Sequence, residues 1–260
     1  MRNERSINES SVGTLARGLD ILALFGRDGP ELSQTQMSDA LGLPLPTVHR
    51  LTAVLAERGF LERDAQSRRY RLGLELARLI PALLSGLRLP DLVRPHLRAL
   101  AGETGETVNL AALQDGEVVY LLSETGDRLL TSHTPVGLRL PAHCTALGKA
   151  LLAQLPEEAA RDAAGPGPYA RRTAATITTW KGLRLELQGV RAEGVARSWD
   201  EYEVGLAAVA VPLPGVVGEG AALNVSLPTS RATPELLEHL GGRLRVIAEH
   251  VEGRLMTRGG

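Results

Sequence analysis

The segment from Leu32 to Gly73 carries the side chains whose chemistry is most evident from sequence alone. Val48, Leu51 and Leu55 have helical spacing, so we expect them to face a hydrophobic core. The same helix then turns three polar side chains outward, Thr47, His49 and Arg50. The major groove of DNA admits one helix, where an arginine can donate to guanine edges or to phosphates. We therefore expect this segment to bind DNA, with Arg50 as its strongest contact.

The residues around this helix predict a helix-turn-helix. A first helix is expected after Ser33, whose side chain can accept hydrogen bonds from free backbone N–H groups, and Gly42 is expected to end it. The second helix tolerates Pro46 in its first turn, because an N–H there would lack an intrahelical acceptor. Ser33, Gln34 and Pro46 are therefore included among the expected DNA contacts.

Residues 61–72 predict a basic hairpin, which would be the wing of a winged helix. Tyr70 and Leu72 alternate with arginines, as in a strand. Arginines on a short ribbon can contact phosphates and add salt-dependent affinity through counterion release. The expected contacts in the wing are Arg68, Arg69 and Tyr70. The alternatives are a solvated basic loop and a winged helix that binds another protein.

A second group of residues is suited to a small anion. A helix is expected from about Cys144 to Leu155, and its first free N–H groups could receive a carboxylate. Neutral hydrogen-bonding side chains and apolar walls would complete a small pocket. The residues expected there are Leu129, His143, Thr145, Ala146, Leu147, Ser198, Ala208, Asn224 and Ser226. The alternative is core packing beside an ordinary capped helix.

His143 beside Cys144 raises the question of a thiol nucleophile or a metal ligand. Adjacent residues project in different directions, and no acidic partner or further ligand set accompanies this pair. A single cysteine excludes an internal disulfide and a multi-cysteine zinc site. We therefore expect no catalytic residue, no metal and no cofactor. Lys149 is expected to be a solvated or ion-paired side chain, and Glu201 is expected to cap or brace a loop.

Length and composition fit a soluble protein of two domains. The chain has 260 residues, 43% of them hydrophobic, and its net charge of −1 means that any attraction for DNA must be local. No apolar run approaches a membrane span, and the polar N-terminus lacks the apolar region of a signal peptide. A cytoplasmic protein with no membrane partner is expected.

Changes in periodicity divide the chain into four segments. Residues 1–11 are expected to form a flexible tail, 12–73 a winged helix-turn-helix domain, 74–90 a linker helix and 91–257 a second domain. In the second domain, antiparallel strands flanked by helices predict an α+β fold. Its strands are expected at residues 107–113, 117–124, 129–133, 195–201, 207–213 and 221–227. The leucines of the linker exceed what one exposed helix buries, which favours a contact between subunits.

The second domain contains two motifs that resemble the IclR family of bacterial transcriptional regulators. They are GLRLPAHCTALGKALLA, from Gly137, and GVARSWDEYEVGLAAVAVP, from Gly194. In the second motif, the matching residues are Gly194, Ser198, Glu201, Ala210 and Pro212. The resemblance implies an N-terminal winged helix-turn-helix, a C-terminal effector-binding domain with a GAF-like or profilin-like antiparallel sheet, and homodimers or tetramers.

Two departures from the family pattern affect the expected pocket. Ala208 stands where the family commonly has a cysteine, and Asn224 stands where a serine is more usual. The expected function is a transcriptional regulator, not an enzyme, whose binding to double-stranded operator DNA responds to a small effector, a carboxylate or an aromatic acid. The alternatives are an effector-blind regulator and a thiol-dependent GAF-type enzyme fused to a winged helix, although one cysteine without a resolving partner argues against the enzyme.

Overall fold

The structure is a computed structural model that describes residues 3–79, 88–129, 131–132, 134–213 and 220–256. The chain divides into two compact units, Met1–Leu87 and Arg88–Gly260. Each unit has hydrophobic clusters of its own. Across the described ranges, none of the helices combines the length and the apolar character needed to span a bilayer.

The first unit is a winged helix-turn-helix, as the sequence predicted. Its elements are α1 Asn3–Arg27, α2 Gln34–Leu41, α3 Leu45–Glu57, β1 Leu61–Arg63 and β2 Tyr70–Leu72. The two strands pair antiparallel, with Glu62 opposite Arg71. Gly42 ends α2 in the left-handed conformation, with φ 63°, which an L side chain rarely adopts. The turn between α2 and α3 depends on that conformation.

The structure bears on three expectations about the first unit. Residues 3–11, predicted as a tail, lie in helix α1, which begins at Asn3; they lack an apolar stripe, so the sequence contains no periodic signal there. The spacing of Leu15 and Leu19 with Leu22 and Phe25 predicts a stripe that faces the core, but Leu15 and Leu19 are 67% and 57% exposed, because the buried face of α1 is centred on Ile21 and Leu24. Of the predicted linker helix, residues 75–79 are helical and residues 80–87 lie outside the described part.

The second unit is built on one antiparallel sheet of six strands in the order β5-β4-β3-β8-β7-β6. The predicted α+β fold is therefore confirmed. The strands are β3 Thr107–Gln114, β4 Glu117–Glu124, β5 Arg139–Pro141, β6 Ala196–Trp199, β7 Leu206–Leu213 and β8 Ala221–Pro228. The helices are α4 Arg88–Thr104, α5 Ala146–Gln154, α6 Glu157–Ala164, α7 Trp180–Glu193 and α8 Pro234–Met256, and a 3-10 turn, Ala142–Cys144, precedes α5.

Alternation along the central strands separates two cores. Val209 on β7 pairs with Val225 on β8, and both belong to the cluster that includes residues of α4 and α8. Ala208 pairs with Ser226 in the next row and faces the opposite side of the sheet, where α5 and α7 pack. The small residues of that second face leave space between the sheet and α5.

The strand predicted at residues 129–133 does not form at its described positions. Leu129 lies in a bend and is 107% exposed, residues 131 and 132 are irregular, and residues 130 and 133 lie outside the described ranges. The edge position beside β4 is taken by β5 instead, through pairs such as Val118 with Leu140. A strand of three residues that ends at Pro141 shows too little alternation to be predicted.

His96 on α4 and His250 on α8 form an edge-to-face pair with ring centroids 4.9 Å apart. Burial lowers the pKa of His96, and the charges of His250 and Arg254 lower it further. Its pKa in the folded protein therefore lies below that of the unfolded chain, and protonation favours the unfolded state.

We expect His96 to make the protein less stable in acid. The stability that neutral His96 contributes is fully present above its unfolded-state pKa, about 6.5. The free energy of unfolding then falls as the pH drops through that value toward the folded-state pKa. Urea unfolding at several pH values should show a shallower fall for His96→Gln than for the unmodified chain. His49→Gln, in the other unit, is the matched control, and an unchanged slope for His96→Gln would contradict the prediction.

Candidate DNA-binding and effector-binding sites

Helix α3 presents a polar face that is free to bind. His49 and Arg50 are exposed and Thr47 is partly exposed, while Val48 and Leu51 are buried on the other side. Within the described part of the chain, the Arg50 guanidinium has no hydrogen bond and no ion pair, so all five of its N–H donors remain available. Pro46 is exposed in the first turn, and Pro44 caps the helix without a side-chain hydrogen bond.

The start of α2 is closed by a capping box that also binds the wing. The Ser33 hydroxyl accepts from the Gln36 N–H at 3.2 Å, and Gln36 Oε1 accepts from the Ser33 N–H at 3.0 Å. Arg69 donates to the same Gln36 oxygen and to the Glu31 carbonyl, both at 2.9 Å. Arg69 therefore connects the wing to α2, and the hydroxyl and N–H groups of Ser33 both form hydrogen bonds at the start of that helix.

Two residues expected to contact DNA are turned into the first unit instead. Gln34 Nε2 donates to Thr52 Oγ1 at 2.8 Å and to the Tyr70 hydroxyl at 3.1 Å. Tyr70 is 4% exposed and belongs to the core. The structure therefore engages Gln34 and Tyr70 within the first unit rather than leaving them free for DNA, and their partners come from elements that are distant in sequence. These residues brace α2, α3 and the wing against one another.

The wing keeps one fully available cation at its tip. Arg68 is exposed with φ 58°, and the structure gives its side chain no partner among the described residues. Arg71 is engaged by Glu62 across the hairpin, at 2.8 Å between Nη2 and Oε1, and Arg63 lies 5.6 Å from the centroid of the Tyr70 ring. Arg68 is thus the wing arginine that is placed to meet a phosphate.

The second unit encloses a cavity of about 240 Å³. Its floor is the small-residue face of the sheet, and one wall is the start of α5. Six of the predicted pocket residues line it: Thr145, Ala146, Ser198, Ala208, Asn224 and Ser226. Another wall holds Tyr202, Glu203 and Leu206, which lie within the second motif but were not among the predicted pocket residues.

Thr145 is the N-cap of α5 and brings two backbone donors to the cavity. Its side chain accepts from the Gly148 N–H at 3.2 Å. Helix α5 begins at Ala146, later than predicted, because the 3-10 turn occupies residues 142–144. The N–H groups of Ala146 and Leu147 therefore have no intrahelical acceptor, as in the first turn of every helix. Since Ala146 lines the cavity, the positive end of the helix dipole points toward it.

The floor of the cavity contains a hydroxyl group that lacks a partner. Ser226 is 5% exposed, and its Oγ is buried without a hydrogen bond to the described residues. Leaving such a group unpaired costs about 1–3 kcal/mol, so a bound ligand that bonds to it would gain affinity. Beside it, the Asn224 carboxamide oxygen accepts from Asn109 Nδ2 at 2.9 Å, which leaves the Asn224 amino group as a further donor.

Comparison with known proteins decides the family. Residues 14–65 match the IclR helix-turn-helix domain, and residues 82–252 match the bacterial transcriptional regulator IclR C-terminal domain. The chain belongs to the IclR family. One relative is the HTH-type transcriptional regulator XynR of Escherichia coli K12, which is 31% identical over 221 residues, 85% of this chain and 88% of XynR.

Solved structures of the IclR family agree with this assignment. An ICLR transcriptional regulator from Silicibacter sp. TM1040 has a TM-score of 0.83 and 30% identity, covering 93% of this chain and 95% of that one. An IclR homologue from Microbacterium hydrocarbonoxydans, in complex with 4-hydroxybenzoate, has a TM-score of 0.79 and 28% identity, covering 94% of this chain and 99% of that one. The resemblance expected from the two motifs is confirmed, and the chain is a transcriptional regulator rather than an enzyme.

Three residues predicted for the pocket of this IclR-family chain lie elsewhere. Leu129 is fully exposed outside any strand. His143 stacks on Tyr169 with ring centroids 4.8 Å apart, and its Nε2 lies 3.2 Å from the Ala170 carbonyl oxygen. Leu147 is completely buried in the core beneath α5, because the first turn of the helix directs it away from the cavity. The structure therefore does not bring the side chains of these three residues to the cavity.

Cys144 lines the cavity but is poorly suited to thiol chemistry. Burial, reinforced by the charge of Glu201, raises the pKa of the Cys144 thiol to about 11. A thiol with such a pKa is neutral near neutral pH, and the thiolate is the nucleophilic form. The IclR-family assignment and this neutral thiol both argue against a thiol-dependent enzyme.

Proposed function

We propose that this IclR-family regulator binds operator DNA through α3 and the wing, and that a small carboxylate or aromatic acid in the cavity controls that binding. The observation that carries the effector proposal is the unpartnered Ser226 hydroxyl in the same cavity as the start of α5. A carboxylate could accept from the Ala146 N–H and from Ser226 together, in a site shielded from water.

The DNA-binding part of the proposal rests on exposed side chains that have no hydrogen bond or ion pair with the described residues. Arg50 and His49 contact base edges or phosphates in the major groove, with Thr47 beside them, and Arg68 contacts a phosphate from the wing. Ser33 and Pro46 lie at the two helix starts, where backbone groups approach phosphates. Arg69 acts through its bonds to Gln36 and Glu31, by fixing the position of the wing.

The lining of the cavity favours a particular shape of effector. The cavity volume is about 240 Å³, and a more open pocket of about 350 Å³ adjoins it at Ser132, Glu203 and Leu206. Tyr120 and Tyr202 offer ring surfaces, and Leu138, Leu140 and Ala208 complete an apolar lining. A compact acid with one flat apolar part fits these walls. The 4-hydroxybenzoate in the Microbacterium homologue is a molecule of this kind.

The proposal includes assembly and location. Helix-turn-helix proteins bind paired half-sites as dimers, so we propose that this chain is a homodimer or a tetramer of such dimers. Its partners are double-stranded operator DNA and the small-molecule effector, and it acts in the cytoplasm, where bacterial operators are found. Size measurement by light scattering, alone and on operator DNA, tests the subunit number.

Replacing Ser226 by alanine is expected to weaken effector binding by about 10- to 150-fold, which corresponds to one lost hydrogen bond to a charged group, about 1.5–3 kcal/mol. The measurement is a thermal shift against small carboxylic and aromatic acids, including 4-hydroxybenzoate, followed by titration of the acid with the largest shift. For an unmodified chain, saturation at one hundred times the dissociation constant should add about 2.7 kcal/mol of stability.

The matched control is Ser123→Ala. The Ser123 Oγ is also buried without a partner in the described part of the chain, but Ser123 does not line the cavity. It should leave acid binding unchanged. Equal effects of both substitutions would contradict the assignment of Ser226, and a chain that no acid stabilises, yet that binds its upstream DNA specifically, would be an effector-blind regulator.

A further inference from the structure

Lys149 is an almost completely buried cation that connects two sides of the cavity. Its side chain is 1% exposed and lies on α5, one turn after Ala146. Lys149 Nζ is 2.6 Å from Glu201 Oε1 and 2.8 Å from Glu186 Oε1. Glu201 belongs to the loop of residues 200–205 between β6 and β7, whereas Glu186 lies on α7 and is 39% exposed.

The 200–205 loop supplies the wall of the cavity that faces α5. Tyr202 and Glu203 line the cavity, as does Leu206 at the end of the loop. The loop closes on itself through a bond from the Asp200 N–H to the Leu206 carbonyl, at 2.9 Å, and one from the Gly205 N–H to Asp200 Oδ1, at 2.6 Å. These bonds shape the loop, but they do not attach it to α5.

Two other hydroxyl groups attach the loop to a different segment. Thr176 Oγ1 donates to the Glu201 carbonyl at 2.7 Å, and Thr173 Oγ1 donates to the Asp200 carbonyl. Both threonines lie in the segment before α7, which reaches the turn before α5 only indirectly, through the contacts of His143 with Tyr169 and Ala170. The Lys149–Glu201 ion pair bonds a described residue of the loop directly to α5.

The ion pair is a poor means of stabilising the core. Burial raises the pKa of Glu201 despite the opposing charge of Lys149, and Glu201 Oε2 is buried without a partner among the described residues. Buried pairs of this kind are often matched or exceeded in stability by neutral residues of similar size. A positional role accounts for charges at this site better than a gain in stability does.

We propose that Lys149 is a positioning residue that holds the 200–205 loop against α5 and so sets the width of the cavity between Ala146 and Tyr202. The proposal rests on the proposed effector-binding function of the cavity. Lys149 does not line the cavity and does not contact the effector. It acts through Glu201, which presents Tyr202 and Glu203 to a ligand at a fixed distance from the donors of α5.

The test separates position from stability by using four variants of the full chain. Lys149→Met leaves the Glu201 carboxylate without its counterion, and Glu201→Gln leaves Lys149 with the half-exposed Glu186 alone, so both should be destabilised, the second by less. The double variant carries neither charge, so its free energy of unfolding should recover most of the loss. Glu186→Gln, the control, removes the half-exposed partner and leaves the Lys149–Glu201 contact in place.

Hydrogen exchange measured by mass spectrometry follows the loop directly and needs no effector. The amides of Asp200, Gly205 and Leu206 are expected to exchange about tenfold faster in both single variants and in the double variant, because local opening no longer breaks the ion pair. A β3 peptide, residues 107–113, reports global opening and should match the unmodified chain in the double variant. Glu186→Gln should leave the loop protected.

The outcomes decide both proposals independently. A double variant with restored stability and a fast-exchanging loop supports the positioning role, and weaker binding of the acid selected by thermal shift would extend it to the effector. A double variant whose loop regains slow exchange together with stability would overturn it, since the pair would then be only structural. If no acid binds the unmodified chain, the effector function fails while the exchange result still decides the role of Lys149 in the loop.

Discussion

Replacing Gly148 by alanine is expected to reduce the free energy of unfolding of the second unit by about 3 kcal/mol or more, at the upper end of overpacking effects. A Cβ atom at this position would lie 2.2 Å from the Cα atom and 2.2 Å from the carbonyl oxygen of Ala142. Both are backbone atoms of the 3-10 turn before α5, so no side chain can move aside. Relief would require α5 to separate from the turn that frames the cavity.

Gly189→Ala is the matched control for this prediction. Gly189 is also inside a helix, α7, but no heavy atom lies within 4 Å of an added Cβ and the residue is exposed. Alanine is the better helix former by up to about 1 kcal/mol, so this variant should be unchanged or more stable. Urea unfolding of both variants makes the comparison, and equal stability of Gly148→Ala and the unmodified chain would contradict the packing of α5 described above.

Replacing Arg50 by alanine is expected to reduce affinity for operator DNA by about 5- to 150-fold, as loss of one bidentate base contact of 1–3 kcal/mol implies. Affinity for random DNA should fall much less, because phosphate contacts dominate there. The helix itself should be intact, since Arg50 is exposed and makes no bond to the described residues. Fluorescence anisotropy with a fragment of the upstream intergenic DNA and with a random duplex measures both affinities.

Arg68→Ala is the comparison that distinguishes base contacts from phosphate contacts. Loss of the Arg68 side chain should lower the affinity for both duplexes similarly and reduce the slope of log affinity against log salt by about 1. Arg69→Ala tests the wing position instead, because that side chain is bonded to Gln36 and Glu31. If Arg50→Ala loses as much affinity for random DNA as for operator DNA, Arg50 does not contact base edges.

Periodicity predicted most helices and strands of both units, but it missed β5 and placed a strand at residues 129–133. The predicted strands at 207–213 and 221–227 differ by one residue at most from Leu206–Leu213 and Ala221–Pro228. Residues within one element share a face through the backbone geometry alone, so Val48 and Leu51 were correctly expected to be buried. An Asp-Gly pair between two predicted strands is a hairpin signal, and Asp115 and Gly116, between β3 and β4, both have positive φ.

Contacts between distant elements could not be predicted in this way. Lys149 and Glu201 are separated by 52 positions, and Asn109 and Asn224 by 115, and no local pattern reports such pairs. Tyr70 illustrates the consequence, because alternation in the wing suggested a side chain beside DNA, whereas its hydroxyl oxygen accepts a hydrogen bond from Gln34 Nε2 within the first unit. Of the pocket, sequence identified the floor and the helix start but missed the wall that the 200–205 loop provides.

The alternation along β7 and β8 has an evolutionary consequence. Ala208 and Ser226 form the floor of the cavity, while their neighbours Val209 and Val225 pack in the separate core on the reverse of the sheet. A larger or more polar residue at Ala208 would make the cavity shallower or add a new hydrogen bond without entering that core. Ligand preference and folding thus depend on alternate residues of the same strands, so a single substitution can alter the first at little cost to the second.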